Sequence, residues 1–314
     1  MPAILPFKRE MADDVAGLMH DAFVEHRSSS PRMLLSPPDE WTPVEELAVV
    51  LGGDTVCPEA SFVATEGGRA VSAAIATSGE GGAQWWRITT DPACRRSGLA
   101  SSCMEAGESA MRDAGQQIIA TGAVVDSRWT AAGALLSSRG YSPDEPEKRN
   151  ITMRLDEWVP RDVAFPDGYE LATLREDDVP EWSEVKSRIF GWQSEPEWFL
   201  NRFMSRPDYD PSGWLVVRHE GSIVGISGVL AIRLDRDPER LHGAQIEYVG
   251  VLDEHRGRKL GRLLVTECLN WAYGRDSLPV ILLTQPFRVP AVTLYESLGF
   301  RTLCAWQSYV KPLQ

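Results

Sequence analysis

The sequence predicts an α/β (α+β) fold built twice: two domains, each a mixed, largely antiparallel twisted sheet flanked by helices. Three observations lead there. The chain has 314 residues, room for about two domains of ordinary size. Two motifs recur in the same order half a chain apart. One is an Arg- and Gly-bearing turn after a strand, Arg95–Ala100 and Arg256–Gly261, with Ala100 and Gly261 lying 161 positions apart. The other is a helix end, Leu135–Tyr141 and Leu294–Phe300, with Gly140 and Gly299 lying 159 apart. Finally, both halves carry two strand-like runs around a turn signal, Glu66-Gly67-Gly68 and Glu220-Gly221-Ser222.

The first half opens with a strand near Ile4–Phe7, followed by one or two helices. The strand-like runs Ser61–Thr65 and Ala70–Thr77 come next, then a third, Gln84–Thr90. The turn Arg95–Ala100 opens a helix to about Ala114, and Gln117–Gly122 reads as a buried strand before a short helix. Residues 156–168 are rich in Pro and charge and have no clear period, so they read as a linker. The two domains are therefore expected over 1–157 and 158–314. The second half repeats the order. Tyr169–Leu174 alternates like a strand, and Arg175-Glu176-Asp177-Asp178 carries the acidic residues of a helix start. Trp214–His219 and Ile223–Ile232 form the hairpin, Gln245–Leu252 the third strand, and Arg256–Gly261 opens a helix to about Tyr273. On that helix Leu260, Leu263, Leu264, Cys268 and Trp271 keep helical spacing and read as core. Val280–Thr284 is the buried strand that follows.

Composition narrows the function. Hydrophobic residues make up 43% and charged residues 25%, which excludes disorder, collagen and coiled coil. The apolar runs are far shorter than a membrane span, and the first residues lack the apolar stretch of a signal peptide. The five cysteines have no paired spacing, so reduced thiols in a cytoplasmic protein are expected. A net charge of −13 argues against a nucleic-acid partner. His20, His26, His219, His242 and His255 are scattered, and no metal-binding spacing occurs, so no metal is expected.

The chemistry is concentrated in the turn. The first turn of a helix presents backbone N–H groups without intrahelical partners and a partial positive charge. Glycine lets a phosphate approach them closely. In the second half Arg256, Arg258, Lys259 and Arg262 fall within seven residues of an acidic chain. One basic helix start alone is ordinary solvated surface. Its duplication after a strand, with matched elements downstream, makes it a candidate pyrophosphate cradle.

These residues resemble the Gcn5-related N-acetyltransferase (GNAT) family, in a tandem layout of two fused acyltransferase domains. The family pattern is Arg/Gln-x-x-Gly-x-Gly/Ala at the start of the helix after the fourth strand. Arg95, Gly98 and Ala100 match it, and so do Arg256 and Gly261, while Lys259 stands at the middle Gly position. The late Leu-Tyr-x-x-x-Gly-Phe signature is present as Leu294, Tyr295, Gly299 and Phe300; the first copy has Leu136 in place of the Tyr. The resemblance implies acetyl-CoA as cosubstrate, wedged where the fourth strand splays from the fifth. It implies a bulge near Tyr248-Val249-Gly250 that polarises the thioester carbonyl. The implied binding residues are Val249, Gly250, Val251, Arg256, Gly257, Arg258, Lys259, Leu260, Gly261 and Arg262. In the first copy they are Arg95, Arg96, Ser97, Gly98, Leu99 and Ala100.

By the same resemblance Glu247 is the general base and Tyr295 the acid that protonates the leaving thiolate. Their counterparts in the repeat, Trp86 and Leu136, can do neither, which favours catalysis in the second copy. A lone strand Glu is more often half of an ion pair, and a helical Tyr more often core; the surrounding motifs promote both. Trp182, Phe190, Trp192, Trp198, Phe199 and Phe203 fall where the family's first two helices line the acceptor pocket. The expected activity is acetyl transfer to the amine of a small molecule by direct attack. Two other readings fit the sequence: a non-catalytic acyl-CoA-binding module, and a protein-lysine acetyltransferase. Both monomer and homodimer are compatible with it.

Overall fold

The computed structural model describes residues 2–23, 43–79, 82–121, 125–145, 149–206, 209–233 and 242–313. In chain order the strands are β1 (Ala3–Pro6), β2 (Phe62–Glu66), β3 (Arg69–Gly79), β4 (Gly82–Thr90), β5 (Ile118–Ala120), β6 (Val125–Asp126), β7 (Ser142–Pro143) and β8 (Asn150–Leu155). They continue with β9 (Tyr169–Thr173), β10 (Trp214–His219), β11 (Ser222–Arg233), β12 (His242–Val251), β13 (Val280–Thr284), β14 (Arg301–Gln307) and β15 (Tyr309–Pro312). The helices are α1 (Ala12–Phe23), α2 (Pro43–Gly52), α3 (Leu99–Asp113), α4 (Thr130–Ser138), α5 (Val179–Phe190), α6 (Pro196–Phe199), α7 (Leu260–Gly274) and α8 (Val289–Leu298). None is long and apolar enough to cross a membrane.

The chain forms two compact units. The first contains Met1–Ile151 together with Cys304–Gln314; the second contains Thr152–Leu234 and Arg240–Leu303. The chain thus leaves the first unit shortly before the linker at 156–168, and its last strand returns to that unit. Gly122, the end of one expected strand, lies outside the described residues.

In the first unit β1–β4 form an antiparallel sheet in sequential order, and β5, β15 and β7 form a second, with β15 antiparallel to both neighbours. The period-2 alternation of a strand decides what each face buries. Val63, Ala73 and Ile75 face Val15, Ala16 and Met19 of α1. Ala64, Ala74, Ala76 and Trp85 face Cys103, Met104 and Met111 of α3. The sheet is sandwiched between helices, and small residues on β3 let α3 come close.

The second unit carries the larger sheet, in the order β14-β8-β13-β12-β11-β10-β9. Strands β9 to β12 are antiparallel, and β12 to β13 is parallel. Helix α7 packs on β11 and β12 through Leu264, Cys268 and Leu269, all fully buried. Helix α5 approaches β12 so closely that a Cβ at Gly250 would lie 2.4 Å from Ile189 Cγ2. That glycine is a packing requirement, because overlap at this distance forces the helix off the strand.

Candidate active site

The parallel pairing of β12 with β13 runs from Ala244–Val280 to Ile246–Leu282. Beyond Ile246 the paired register ends, just where β12 is also irregular toward β11. Ile226 pairs with Gly250 but Gly228 with Glu247, so Tyr248 and Val249 lie opposite the single residue Ser227. Such a bulge leaves an extra residue outside the ladder and re-aims the backbone. Tyr248 takes a left-handed conformation, φ 53°, the feature that turns the strand here. In the first unit the register shift between Ile75 and Ala76 leaves Trp86 as the extra residue. Strand β4 reaches the segment after it through one parallel bridge, Trp85–Thr121.

Each of the two strands ends in the Arg/Gly turn, and the two turns have one backbone shape. Left-handed residues stand two apart in both: Arg96 (φ 64°) and Gly98 (φ 85°) in the first unit, Gly257 (φ 81°) and Lys259 (φ 64°) in the second. At the 161-residue offset these are equivalent positions with the glycine exchanged. Lys259 therefore keeps the backbone conformation that the family's middle Gly provides. A left-handed non-Gly residue costs about 1–2 kcal/mol. The turns then run directly into α3 and α7, whose first amides have no acceptor within the helix.

The arginines brace these turns. Arg256 Nη2 pairs with Asp253 at 2.7 Å and its Nε donates to the Val251 carbonyl at 3.2 Å. Arg258 Nη1 donates to the carbonyls of Glu254 and Arg256 at 2.9 and 3.2 Å. Arg262 reaches Ser297 Oγ on α8 at 2.7 Å, and Arg95 reaches the Ala22 carbonyl at 3.4 Å. Val251 and Leu260 are buried, Val249 and Gly250 half-buried, and Gly257, Arg258 and Lys259 exposed at the tip of the turn. Gly261 faces Leu294, where a Cβ would make ordinary contact with the leucine at 3.8 Å. Ser97 and Gly98 are exposed, while Leu99 and Ala100 are half-buried at the start of α3.

Glu247 is half-buried on β12 beside the bulge. Burial pushes its carboxyl up to about 7, opposed by the hydrogen bond that Gln245 Nε2 donates to Oε1 and by the Arg202 guanidinium. A carboxylate poised there is half in the basic form near neutral pH, the condition for a general base. Tyr295 is buried on α8, 5.9 Å from the Phe300 ring. Burial pushes its hydroxyl up to about 12, with the Cys268 thiol adding to the shift and Arg288 opposing it. Its hydroxyl therefore keeps its proton throughout the neutral range. Ser227, the residue opposite the bulge, hydrogen-bonds Cys268 of α7 at 3.0 Å and ties strand to helix.

Aromatics of α5, α6 and the π-helical turn Leu200–Met204, with Trp192 from the loop after α5, gather around Tyr248. Ring centroids of Trp182, Phe190, Trp192, Trp198 and Phe203 lie 5.8 to 6.5 Å from that of Tyr248. Phe199 sits one layer deeper, 4.7 Å from Trp214. Two residues here went unremarked in the sequence. Arg202 hydrogen-bonds Tyr248 and acts on Glu247. Lys186 is wholly buried, and its Nζ lies 3.4 Å from the Trp192 centroid and 4.0 Å from that of Trp198. Its position one turn after Trp182, on the buried face of α5, was the available signal. His219 and His255, scattered in sequence, also come together, with ring centroids 5.2 Å apart and Tyr169 hydrogen-bonded to His255 at 3.0 Å. Among the described residues no group of three or more His, Cys, Asp or Glu could hold a metal ion.

A splayed, bulged strand feeding a braced helix N-terminus defines the class. The Acetyltransferase (GNAT) family model matches residues 21–141 and again 171–300, and the chain belongs to that family. It is similar to named relatives. A mycothiol acetyltransferase of Acidothermus cellulolyticus is 30% identical over 168 residues, 48% of this chain and 50% of that one. Another, of Clavibacter michiganensis subsp. michiganensis, is 26% identical over 276 residues, 84% of this chain and 83% of that one. The match thus spans about half the length of the first of these relatives. Among solved structures, a GCN5-related N-acetyltransferase from Sphaerobacter thermophilus superposes with a TM-score of 0.68 at 20% identity, covering 100% of this chain and 96% of that one. A tandem GNAT protein from the clavulanic acid biosynthesis pathway gives 0.69 at 16%, covering 100% and 99%. These two share the fold.

Proposed function

We propose that the chain is an acetyl-CoA-dependent N-acetyltransferase that acylates a small-molecule amine in the cytoplasm, and that the second unit does the chemistry. The observation that carries this is the presence, in one unit, of the Tyr248 bulge, Glu247 beside it with its carboxyl pushed up to about 7, and the buried Tyr295. In this reading the pyrophosphate lies against the amides of 257–262, and backbone at 248–250 faces the thioester carbonyl, with Val251 packing behind it. Glu247 takes the proton of the attacking amine and Tyr295 gives one to the departing thiolate. The first unit has Trp86 and Leu136 at these places but the same turn conformation, which favours a unit that holds acyl-CoA without turning it over. The printed names of the relatives make the amine precursor of a thiol cofactor one acceptor to assay.

The experiment is CoA release from acetyl-CoA with a panel of small amines, for the wild type, Glu247→Gln and Tyr295→Phe. Turnover by the wild type that falls by 10²–10⁴ in either variant supports the assignment. Tight CoA binding with no turnover of any amine would instead make the whole chain a binding module.

A further inference from the structure

Lys186 leaves α5 on the face that packs against β12, and its side chain is wholly buried. Among the described residues its Nζ has no hydrogen-bond acceptor. Four rings surround it: Trp192 at 3.4 Å, Trp198 at 4.0 Å, Tyr248 at 5.3 Å and Trp182 at 5.8 Å to the centroids. An ammonium taken from water without a partner is costly, and the π faces offset part of that cost. A methionine or leucine would fill the volume with no such cost, so packing does not account for a lysine here.

The surroundings suggest what the box is for. Tyr248, one of its walls, is the left-handed residue of the bulge and the direct neighbour of Glu247. Trp192, the opposite wall, is 45% exposed and follows Gly191, which ends α5 in a left-handed turn. One side of the box therefore borders the reactive strand and the other borders solvent. Charged groups beside its walls include Arg202, 5.9 Å from the Trp198 centroid and hydrogen-bonded to Tyr248, and Glu247, which acts on Tyr248. A negatively charged occupant would face the electron-rich ring faces, so the box selects a cation.

We propose that the box formed by Trp182, Trp192, Trp198 and Tyr248 is the acceptor site for a primary alkylammonium, and that Lys186 fills it as an internal stand-in when no acceptor is bound. This rests on the acetyltransferase reading and specifies its substrate as a primary amine on a slim apolar arm. Lys186 also reports what the box does to an amine: burial pushes it down to about 8, which raises the neutral fraction. In the step itself the alkylammonium first gives one proton to solvent, the resulting neutral nitrogen forms a bond to the thioester carbonyl carbon, and the C–S bond breaks. The nitrogen's proton passes to Glu247, and the sulfur takes one from Tyr295.

The test uses the full chain with Lys186→Ala, acetyl-CoA and n-butylamine, the amine of the deleted side chain, with product read by mass spectrometry. The expected result is a kcat/KM for n-butylamine at least about ten-fold above wild type, abolished by adding Glu247→Gln and reduced by adding Trp198→Ala. Lys186→Leu covers the case in which the alanine variant does not fold. It keeps apolar volume and empties only the head of the box, and methylamine is then the matched probe, with the same gain expected. If n-butylamine raises the melting temperature of Lys186→Ala yet is acetylated no faster than by wild type, the box is a structural lysine site and the proposal is overturned. If wild type turns over other amines while neither variant gains, the box is again excluded and the acetyltransferase reading stands. If no variant turns over any amine, both fall together.

Discussion

Glu108 of the first unit and Glu247 of the second are both drawn into protein interior, and they are treated in opposite ways. Glu108 on α3 is held by Arg139 at 2.9 Å, Lys311 at 2.7 Å and the Tyr141 hydroxyl at 2.9 Å, and Tyr141 in turn accepts from Trp85 Nε1 at 2.7 Å. Burial pushes that carboxyl up, but the hydrogen bonds from Arg139, Lys311 and Tyr141 prevail and hold it below the ordinary range. At the repeat offsets the same places in the second unit are Leu269, Leu298, Phe300 and Ile246, all buried and apolar. At these four places the second unit thus closes its helix–sheet face with hydrocarbon. The first unit closes that face with a satisfied ionic network and has a tryptophan at its bulge. The carboxylate of the first copy is tied into an ionic network, and Glu247 beside the bulge of the second accepts a hydrogen bond from Gln245.

The comparison can be broken most directly at Glu247. Glu247→Gln is expected to lower kcat with any accepted amine by 10²–10⁴, whereas Trp86→Phe at the equivalent place leaves it within about two-fold. Steady-state CoA release measures both. The next largest effect is in the first unit. Glu108→Ala leaves Arg139, Lys311 and the Tyr141 hydroxyl without their acceptor and is expected to cost about 3–5 kcal/mol in urea unfolding. Leu269→Ala, at the same place in the second unit, is expected to cost about 2–5 kcal/mol by cavity formation and to show no pH dependence.

The pH dependences of the two carboxylates have opposite signs. Glu247 has a folded value raised above its unfolded one, so its contribution is most favourable below pH 4.5 and is lost as pH rises toward about 7. Glu108 has a lowered folded value, so its contribution is full above the ordinary carboxylate range and is lost as pH falls. Melting scans should therefore show Glu247→Gln stabilised relative to wild type at pH 8 but not at pH 4. The activity of the wild type should rise with pH through about 7, an acid limb that the glutamine variant lacks. The smallest effect concerns the turns. A Cβ at Gly257 or Gly98 would meet nothing of the protein within 4 Å, so no protein packing demands these glycines. Lys259→Gly and Arg96→Gly are each expected to stabilise by about 1 kcal/mol by relieving the left-handed side chain, a shift of a few degrees in melting temperature. CoA affinity should survive in Lys259→Gly if the backbone carries the grip, and fall if the lysine side chain does.

Much of this was legible in the sequence because it is written locally. The hairpins, the Arg/Gly turns and the strand–turn–helix order follow from periodicity and turn residues, and the repeat doubled each signal. The bulge near Tyr248-Val249-Gly250 was implied by the family resemblance rather than by the local residue pattern. The hidden features are those set by distant partners. No local pattern shows that Lys259 adopts φ 64°, since the strain is compensated by the surrounding turn. Lys186 reads as an ordinary helix charge until Trp192, Trp198 and Tyr248 are folded around it. Lys311 reads as a tail residue, and its partner Glu108 lies 203 positions away.

The return of β15 to the first unit orders events during synthesis. Everything in the second unit, Thr152 to Leu303, has left the ribosome before Tyr309–Pro312 emerges to pair with β5 and β7. The copy translated first is therefore finished last. A nonsense codon or protease cut after Gln307 would leave β14 and the larger sheet intact while depriving the first unit of β15 and of the lysine that neutralises Glu108.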